Sequence, residues 1–433
     1  MEQISPAADR GILRNRAFLA LWGAQILSQT AANATTFALI VRVGEITKSN
    51  TSSSILILLA ILPAVVFGVF AGVIVDRTDR KPVLVVTNAL RAAAVVPLLV
   101  LGENVTAAYV VNFLVAAITV FFVPAESATI PAIVRRRDLL VANSLFTFTF
   151  NGAFLMGFII LAPVVIALSG YQALFIVIAS MFGGAALLCL TVPSVASPAR
   201  ADRIGVQVAG AAVAETLGGV GEAFAYLRSH PPVVWSLVYI ALTYMLVAVA
   251  GALAPGFVRE VLGLGEKNVV VLVAPAGLGV VVGLGALNVI GGRITPNRAI
   301  GTGLIVTAGA LLVLAAERPL AGLLRSPAGP TPGFVALVSL TAFVFGVAYA
   351  FITVPSMTRL QSDLHEEIRG RIFGVLNMLV SVFSFAPLLL VGPVADAYGV
   401  APVFVGGAVA CALAWVGGRA SRGHVRVKAT PGV

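Results

Sequence analysis

Long apolar runs separated by short polar connections dominate the pattern of this sequence. A run of about 20 residues, folded as a helix, is long enough to cross a hydrocarbon layer of about 30 Å. Twelve such runs follow one another, at residues 17–41, 54–75, 82–101, 106–123, 141–168, 171–192, 233–254, 269–291, 299–316, 333–357, 372–395 and 400–418. The pattern therefore predicts an all-α polytopic membrane protein with twelve transmembrane helices.

The longest polar stretch lies between the sixth and seventh runs and divides the chain into two halves. We expect an N-terminal six-helix bundle at residues 1–192, a cytoplasmic linker at 193–232, and a C-terminal six-helix bundle at 233–433. Within the linker, apolar residues recur at helical spacing and predict a helix that lies on the membrane surface and ends at Pro231-Pro232. Its apolar positions are Val213, Leu217, Val220, Phe224 and Leu227.

Composition places the chain outside the soluble globular class. Of its 433 residues, 59% are hydrophobic and 11% are charged, whereas soluble domains carry about 25% charged residues. The net charge of +10 would suggest a nucleic-acid partner if the basic residues were gathered on one face or segment. They are instead spread over short connections, so we expect the lipid bilayer as a partner and no nucleic acid.

Few residues offer enzymatic or metal chemistry. Cys189 and Cys411 lie in separate apolar runs, which predicts two buried free thiols rather than a disulfide framework or a metal site. His230, His365 and His424 all fall in predicted cytoplasmic segments, so they do not form a catalytic group at one depth of the membrane. We predict no enzymatic activity, no bound metal and no cofactor.

Basic residues are distributed unevenly over alternate connections. One side of the predicted membrane collects 21 Lys and Arg residues and the other side collects 6. Because short cytoplasmic loops carry the excess of positive charge, we expect a plasma-membrane protein with both termini in the cytoplasm. This placement agrees with an even number of spans.

The connection between the second and third runs is a basic bridge, Asp76-Arg77-Thr78-Asp79-Arg80-Lys81. With Gly72 it resembles the signature loop of the Major Facilitator Superfamily, Gly-x-x-x-Asp-Arg-x-Gly-Arg-Lys/Arg. The sequence departs from that loop at Asp79, where the superfamily has Gly. The resemblance implies the Major Facilitator fold, in which two six-helix repeats form the two halves.

An internal duplication supports two related halves. Pro124 is followed 19 residues later by Asn143, and Pro355 is followed 22 residues later by Asn377. Residues 22–41, the bridge, Pro131, residues 139–143 and residues 369–371 together resemble the bacterial branch that includes enterobactin-type siderophore exporters and macrolide efflux proteins. This resemblance implies secondary active export of a small molecule by alternating access.

The bridge also offers a conformational latch. Asp76 is placed to meet the positive N-terminal end of a neighbouring helix, and the superfamily resemblance implies the helix that begins near Gly370. Arg80 could then pair with Glu126. The alternative is that these charges only set the membrane topology, although topology gives Asp76 no role. The candidate latch residues are Gly72, Asp76, Arg77, Arg80, Lys81, Arg91 and Glu126.

Arg91 lies inside the third apolar run, and an ionisable residue within a span is a candidate for function. Two structural roles are alternatives to a functional role for Arg91. The side chain could extend to the cytoplasmic interface, or it could pair with Glu126 or Asp76. We favour a structural ion pair over contact with substrate.

Neutral polar and aromatic side chains recur on single helix faces in several runs. Such stripes predict a shared substrate cavity for an amphipathic organic molecule, while contacts between helices are the alternative for any one stripe. The candidate cavity residues are Gln25, Gln29, Asn33, Asn143, Thr147, Asn151, Tyr239, Thr243, Phe345, Tyr349, Asn377 and Ser381.

The coupling of transport stays open at this point. Relatives in the resembled branch often carry an acidic residue at the position of Asn33, and an amide cannot change its charge. Glu126 is an alternative proton carrier, and facilitated flux or coupling through the substrate needs no proton. We expect a monomer that binds a small-molecule substrate. The alternative function is a membrane sensor or partner protein that keeps the transporter fold without transporting.

Overall fold

The computed structural model describes residues 12–194, 226–316, 325–326, 329–362 and 366–428. Nearly all of this part is helical. The α-helices are α1 (Arg16–Thr47), α2 (Asn50–Arg77), α3 (Arg80–Val95), α4 (Leu98–Leu101), α5 (Val105–Ile133), α6 (Leu139–Phe154), α7 (Ala162–Leu190), α8 (Pro231–Phe257), α9 (Val270–Ile290), α10 (Pro296–Ala315), α11 (Pro332–Ser362), α12 (Glu366–Tyr398) and α13 (Ala401–Lys428).

Short elements complete the described chain. Three 3₁₀-helices lie at Ile12–Arg14, Arg136–Asp138 and Glu266–Val269, and two π-helices lie at Leu155–Leu161 and Val258–Leu262. Strands β1 (Arg325–Ser326) and β2 (Gly329–Pro330) form a two-residue antiparallel pair. The prediction of an all-α architecture is confirmed.

Each of the twelve predicted apolar runs lies largely on helical chain, and the third run is interrupted between the end of α3 at Val95 and the start of α4 at Leu98. Nine helical stretches of the described residues are long and apolar enough to cross a membrane. One of these stretches, Arg136–Leu190, contains both the fifth and the sixth predicted runs. Helix α1 is not among the nine, and the apolar part of α12 is the shorter stretch Phe383–Tyr398.

The fifth and sixth runs are joined at Gly170. This residue lies inside α7 but has φ 78° and ψ −178°, so two helices meet there across a kink. A positive φ of this size is readily adopted only by glycine. The sequence therefore marks the turn between these spans with one residue rather than with a polar loop.

The described chain forms two compact units. Unit 1 comprises Met1–Leu39 and Leu59–Val213, and unit 2 comprises Ile40–Leu58 and Ala214–Val433. In unit 1, α3 packs against α5 and α7. Its core contains the fully or nearly fully buried side chains of Phe18, Leu21, Leu84, Phe122 and Phe146.

In unit 2, α11 packs against α8, α9 and α10, while α10 also packs against α13 and α12 packs against α8. Helices α9 and α11 approach each other through glycines. A Cβ atom at Gly346 would overlap the carbonyl oxygen of Ala276, and one at Gly279 would overlap that of Phe343. Small residues of this kind let membrane helices pack backbone against backbone.

The predicted interfacial helix of the linker lies mostly outside the described residues. Of its five apolar positions only Leu227 is described, and it is buried in a cluster of unit 2 that also contains Leu237, Ile240 and Leu360. The boundaries predicted for the two bundles and the linker stay a prediction.

The glycine contact between α9 and α11 can be tested by comparing two helical glycines. We expect Gly346→Ala to lower the melting temperature, because the new methyl group would overlap the backbone of α9. Gly309→Ala adds the same methyl group where no described atom lies within 4 Å. It should leave stability unchanged or raise it by up to about 1 kcal/mol through helix propensity. Equal melting temperatures for the two variants would contradict the contact.

Candidate functional site

Helix α1 contacts α6 through two polar side chains. Trp22 Nε1 donates a hydrogen bond to Thr149 Oγ1 at 2.7 Å, and Gln25 Nε2 donates to the carbonyl oxygen of Phe146 at 3.4 Å. Gln25 is 4% exposed. The structure thus places this predicted cavity residue in a contact between two helices of unit 1.

Gln29 and Asn33 lie further along α1 and are half-buried. Asn33 Nδ2 donates to the carbonyl oxygen of Gln29 at 2.9 Å. The π-helix Leu155–Leu161 approaches α1 here, since a Cβ atom at Gly157 would overlap the Thr30 carbonyl oxygen and lie 3.0 Å from Asn33 Cβ. Single π-helical turns are frequent at functional sites, and this one brings a second backbone to Asn33.

Two other predicted cavity residues of unit 1, Asn143 and Thr147, are exposed on one face of α6. Exposure to hydrocarbon would penalise an amide and a hydroxyl, whereas exposure to water or to a polar ligand would not. Asn151 continues the same face one turn later, although its side chain lies outside the described part. The face is therefore a candidate lining for an aqueous path.

The predicted residues of α8 are buried within unit 2. Tyr239 is 2% exposed, stacks at a tilt on Trp235 with ring centroids 5.7 Å apart, and fills the space beside Gly418. Thr243 is also buried, and its hydroxyl donates to the Tyr239 carbonyl oxygen at 2.6 Å. Both side chains contribute to packing in the described conformation.

Sequence reasoning missed an aromatic partner in unit 2. Tyr349, a predicted cavity residue, meets Tyr244 edge to face with ring centroids 6.5 Å apart. Tyr244 is 40% exposed, and Phe345 lies half-buried one turn before Tyr349. Tyr244 could have been noticed as a tyrosine inside an apolar run. It was not selected because it does not lie on the helix face shared by Tyr239 and Thr243. Asn377 and Ser381 lie on α12, and their side chains are outside the described part.

Most of the basic bridge is helical, because α2 ends only at Arg77 and α3 already begins at Arg80. Asp79, the departure from the superfamily loop, is the N-cap of α3 and accepts a hydrogen bond from the Lys81 amide at 3.0 Å. Ser194 donates a hydrogen bond to the same carboxylate. The Asp79 carboxylate therefore has a structural role in this chain, since it supplies a side-chain acceptor that glycine lacks.

Arg80 holds α3 against α5. Its Nη1 donates to the carbonyl oxygen of Ala128 at 2.7 Å, two residues beyond Glu126. The Glu126 side chain is buried, and its Oε1 has no hydrogen-bond partner among the described residues. The pairing expected between Arg80 and Glu126 is thus replaced by a bond to the backbone. Gly72 and Lys81 are half-buried, and the Asp76 side chain lies outside the described part.

Arg91 is fully buried and does not reach the interface. Its guanidinium carbon lies 4.3 Å from the centre of the Phe122 ring and 4.9 Å from that of Phe182. Nη2 donates to Asn88 Oδ1 at 2.8 Å. Aromatic faces and one amide therefore stabilise the cation, which sequence spacing alone did not indicate.

A second group of charges, missed in the sequence, lies at the turn between α1 and α2. Asp396, near the end of α12, accepts hydrogen bonds from this turn. Partial burial opposes its ionisation, but hydrogen bonds from Ser49, Thr51 and Asn50 outweigh burial and lower the pKa of Asp396 to about 2. The carboxylate is therefore ionised at neutral pH, and its stabilising effect is lost only as the pH falls towards 2.

A cavity of about 470 Å³ opens among helices α8, α10, α12 and α13 of unit 2. Its lining is almost wholly apolar and includes Leu246, Leu311, Pro387 and Phe404. None of the predicted cavity residues borders it. It is separate from the aromatic pair formed by Tyr244 and Tyr349.

A family model described as the Major Facilitator Superfamily matches residues 21–387. The chain belongs to this superfamily. It is a multi-pass membrane transporter and not an enzyme. The resemblance carried by the bridge is thereby confirmed over most of the chain.

Members of the superfamily with assigned names agree with this placement. The multidrug efflux pump Tap of Mycolicibacterium fortuitum is 25% identical over 370 residues, which cover 82% of this chain and 84% of Tap. Macrolide efflux protein A of Streptococcus pyogenes is 25% identical over 393 residues, covering 88% of this chain and 90% of the relative.

Solved structures agree in fold. The nucleoside transporter NupG superposes with a TM-score of 0.70 at 14% identity, covering 93% of this chain and 98% of NupG. A bacterial homologue of the human lysosomal transporter Spinster gives 0.71 at 13% identity, covering 94% and 98%. These likenesses confirm the Major Facilitator fold and say nothing of the substrate.

The ion pair predicted from the sequence between Arg91 and Glu126 can be tested by a double-mutant cycle. We expect Glu126→Gln to destabilise unit 1 by about 1–3 kcal/mol, because it leaves a buried cation without its opposite charge. The double variant Arg91→Met/Glu126→Gln should recover part of that loss. A thiol-reactive dye can report unfolding through Cys189 and Cys411, which are both buried. Strictly additive effects would contradict the interaction.

Proposed function

We propose that this transporter exports a small amphipathic organic molecule by alternating access. The observation that carries the proposal is the exposed neutral face of α6, where Asn143 and Thr147 remain accessible within a membrane span. Side chains of this kind are tolerated in a span when they border water or ligand. They can hydrogen-bond a neutral or weakly polar solute without requiring a fixed charge on it.

The aromatic pair of unit 2 supports the same substrate class. Tyr349 and the exposed Tyr244 offer apolar ring faces, each with a hydroxyl group that can donate or accept a hydrogen bond. Binding sites for small organic molecules usually combine apolar walls with a few placed polar groups. The efflux functions given in the names of Tap and macrolide efflux protein A also favour export of a drug-like, antibiotic-like or siderophore-like molecule.

We also propose how transport is coupled and how the protein is oriented in the membrane. Both termini are placed in the cytoplasm of a plasma-membrane protein by the excess of Lys and Arg on one side. Glu126 is the candidate proton carrier. Its carboxylate is buried within a span, and its Oε1 atom accepts no hydrogen bond from the described residues. Coupling through the substrate alone is the alternative.

Ligand binding can be tested by thermal shift on the purified protein, with erythromycin, ethidium, tetracycline and a catecholate siderophore as probes. A ligand at 100 times its dissociation constant should stabilise the folded state by about 2.7 kcal/mol. We expect Asn143→Ala and Tyr349→Ala each to reduce the shift. Ser144→Ala is the matched control, since this neighbouring hydroxyl bonds to the Leu140 carbonyl oxygen of its own helix. A shift followed by active extrusion from loaded vesicles would support export, and binding without flux would favour a sensor.

The latch can be tested by separating turnover from stability. We expect Asp76→Asn to slow efflux of a probe found by thermal shift while leaving the melting temperature unchanged, because the carboxylate would act only during the conformational cycle. Asp79→Ala is the contrasting variant. It removes the N-cap of α3 and should cost about 1 kcal/mol of stability. Unchanged efflux by Asp76→Asn at equal expression would remove the latch.

A further inference from the structure

The apolar cavity of unit 2 lies at one end of the helices that form it. On α12 its lining extends from Ala386 to Val394, and this helix ends at Tyr398. On α13 the lining residues fall in the first two turns after Ala401, and on α10 Leu311 lies one turn before the helix ends. The charge count predicts the outer face of the membrane for this end of the helices. The cavity is then at the depth of the outer leaflet.

The cavity has a buried floor and an exposed rim. The floor contains Leu246 of α8, Leu311 of α10 and Phe404 of α13, each at most 6% exposed. The rim contains Leu390 of α12, which is 67% exposed, and Gly406 of α13, which is also exposed. The opening therefore lies along the side of unit 2, between α12 and α13. Both helices are apolar along this stretch, which favours an opening towards hydrocarbon rather than water.

Two adjacent glycines of α13 shape the cavity. A Cβ atom at Gly407 would lie 3.1 Å from side-chain atoms of Leu246 and Leu311, so this glycine lets α13 approach the floor. A Cβ atom at Gly406 would meet no described atom within 4 Å. Protein interiors are normally packed without gaps of this size. The sequence thus leaves open a space beside Gly406 that an ordinary side chain would fill.

Water is a poor occupant of this cavity. A buried water molecule needs about two to four polar partners, and none of the described residues that line the cavity carries an oxygen or nitrogen atom in its side chain. An empty cavity is also unfavourable, because the atoms of its walls lose dispersion contacts on one side. Hydrocarbon is the content that satisfies both conditions.

The volume and the lining favour a fatty-acyl tail over the exported molecule. At the density of benzene in an apolar cavity of about 150 Å³, a volume of about 470 Å³ accommodates roughly 18 carbon atoms. This is the size of one acyl tail. Sites for small organic molecules place a few polar groups among apolar walls, whereas this lining offers no polar side chain. An amphipathic solute would leave its polar groups unpaired here, and a hydrocarbon tail has none.

A tyrosine lies beside the cavity at the end of α12. Tyr398 is 74% exposed and follows Val394, a lining residue, by one helical turn. Tyrosine is enriched at the depth of the lipid headgroups. Because one helical turn advances about 5.4 Å, a lipid whose tail enters between α12 and α13 can keep its headgroup at the interface. No polar group of the lipid then has to be buried.

We propose that the cavity of unit 2 is a binding site for one acyl chain of an outer-leaflet phospholipid. The tail gains no hydrophobic free energy on entry, because it leaves hydrocarbon. It gains dispersion contacts with walls that would otherwise border a void. No charged side chain borders the cavity among the described residues, so the site selects the tail and not a particular headgroup. The proposal does not depend on the substrate or direction of transport.

Photocrosslinking tests where the tail lies. The protein is reconstituted in phosphatidylcholine vesicles doped with a phosphatidylcholine that carries a diazirine in the middle of one acyl chain, and the crosslinks are located by peptide mass spectrometry. Leu413 is 66% exposed on α13 and reports ordinary contact with lipid. We expect crosslinks on the buried Phe404 as well as on Leu413. Labelling of Leu413 without Phe404 would overturn the site.

Two glycine variants test whether the tail occupies the cavity. Gly406→Leu fills the open space and should lower the Phe404 crosslink about tenfold or more, since about ten lost carbon–carbon contacts suffice for such a change. Gly309→Leu is the matched control. It adds the same side chain to an exposed position of α10 that does not line the cavity and where no described atom lies within 4 Å. Equal crosslinking of Phe404 in the two variants would contradict the proposal.

A milder variant checks that the loss does not come from misfolding. Gly406→Ala adds only a methyl group to the open space, and it should lower the Phe404 crosslink in the same direction by a smaller factor. Gel filtration should show a monodisperse protein for each variant. Crosslinking that stays at the wild-type level in monodisperse Gly406→Ala and Gly406→Leu would overturn the site.

Competition and melting temperature distinguish a lipid tail from the exported molecule. We expect saturating erythromycin to leave the Phe404 crosslink unchanged, and its loss would assign the cavity to a drug-like solute and overturn the acyl site. In detergent, added phosphatidylcholine should raise the melting temperature of the delipidated wild type and of Gly309→Leu, because a ligand stabilises the state that binds it. The increase should be smaller for Gly406→Leu, whose cavity is already filled. Equal increases in all three proteins would count against the site.

Discussion

The absence of water within the hydrocarbon layer is the constraint on which this structure depends. Every backbone amide and carbonyl of a span must be satisfied within the chain, which leaves the helix as the available solution for these runs. The same constraint acts on side chains. Hydroxyl groups such as those of Thr35, Thr87 and Thr243 donate back to a carbonyl four residues earlier. Arg91, which has no water to reach, rests between two aromatic rings and an amide.

Periodicity and charge were enough to place the helices. Each predicted run lies largely on helical chain, because a membrane span requires length and apolarity before any tertiary contact. A helix that is less apolar than the other spans indicates where polar side chains are tolerated. Helix α1 is not among the nine stretches of the described residues that are long and apolar enough to cross a membrane, and it carries Gln25, Gln29 and Asn33. A span can contain such residues only when other helices or an aqueous path surround it, so low apolarity in α1 coincides with the polar contacts to α6.

The candidate site was harder to predict from the sequence than the helices. The spacing of polar residues shows which of them share a helix face. It does not show whether that face contacts another helix, lipid or water. Asn143 and Thr147 proved to be exposed, whereas Tyr239 and Thr243, chosen by the same spacing, are buried. Tyr244 and Asp396 were not chosen because their partners are distant in sequence: Tyr244 meets Tyr349, and Asp396 meets a turn almost 350 residues away, with a separation of 347 to Ser49. Contacts of this range have no local signature.

The cap that Asp396 places on α2 has an energetic consequence for the start of that helix. A hydrogen bond to a charged group contributes about 1.5–3 kcal/mol net, and less where water competes. The Asp396 side chain is exposed, so water can take over both the carboxylate and the freed amides of α2. The cap therefore holds the start of α2 in place, although water can replace each of its bonds at little net cost.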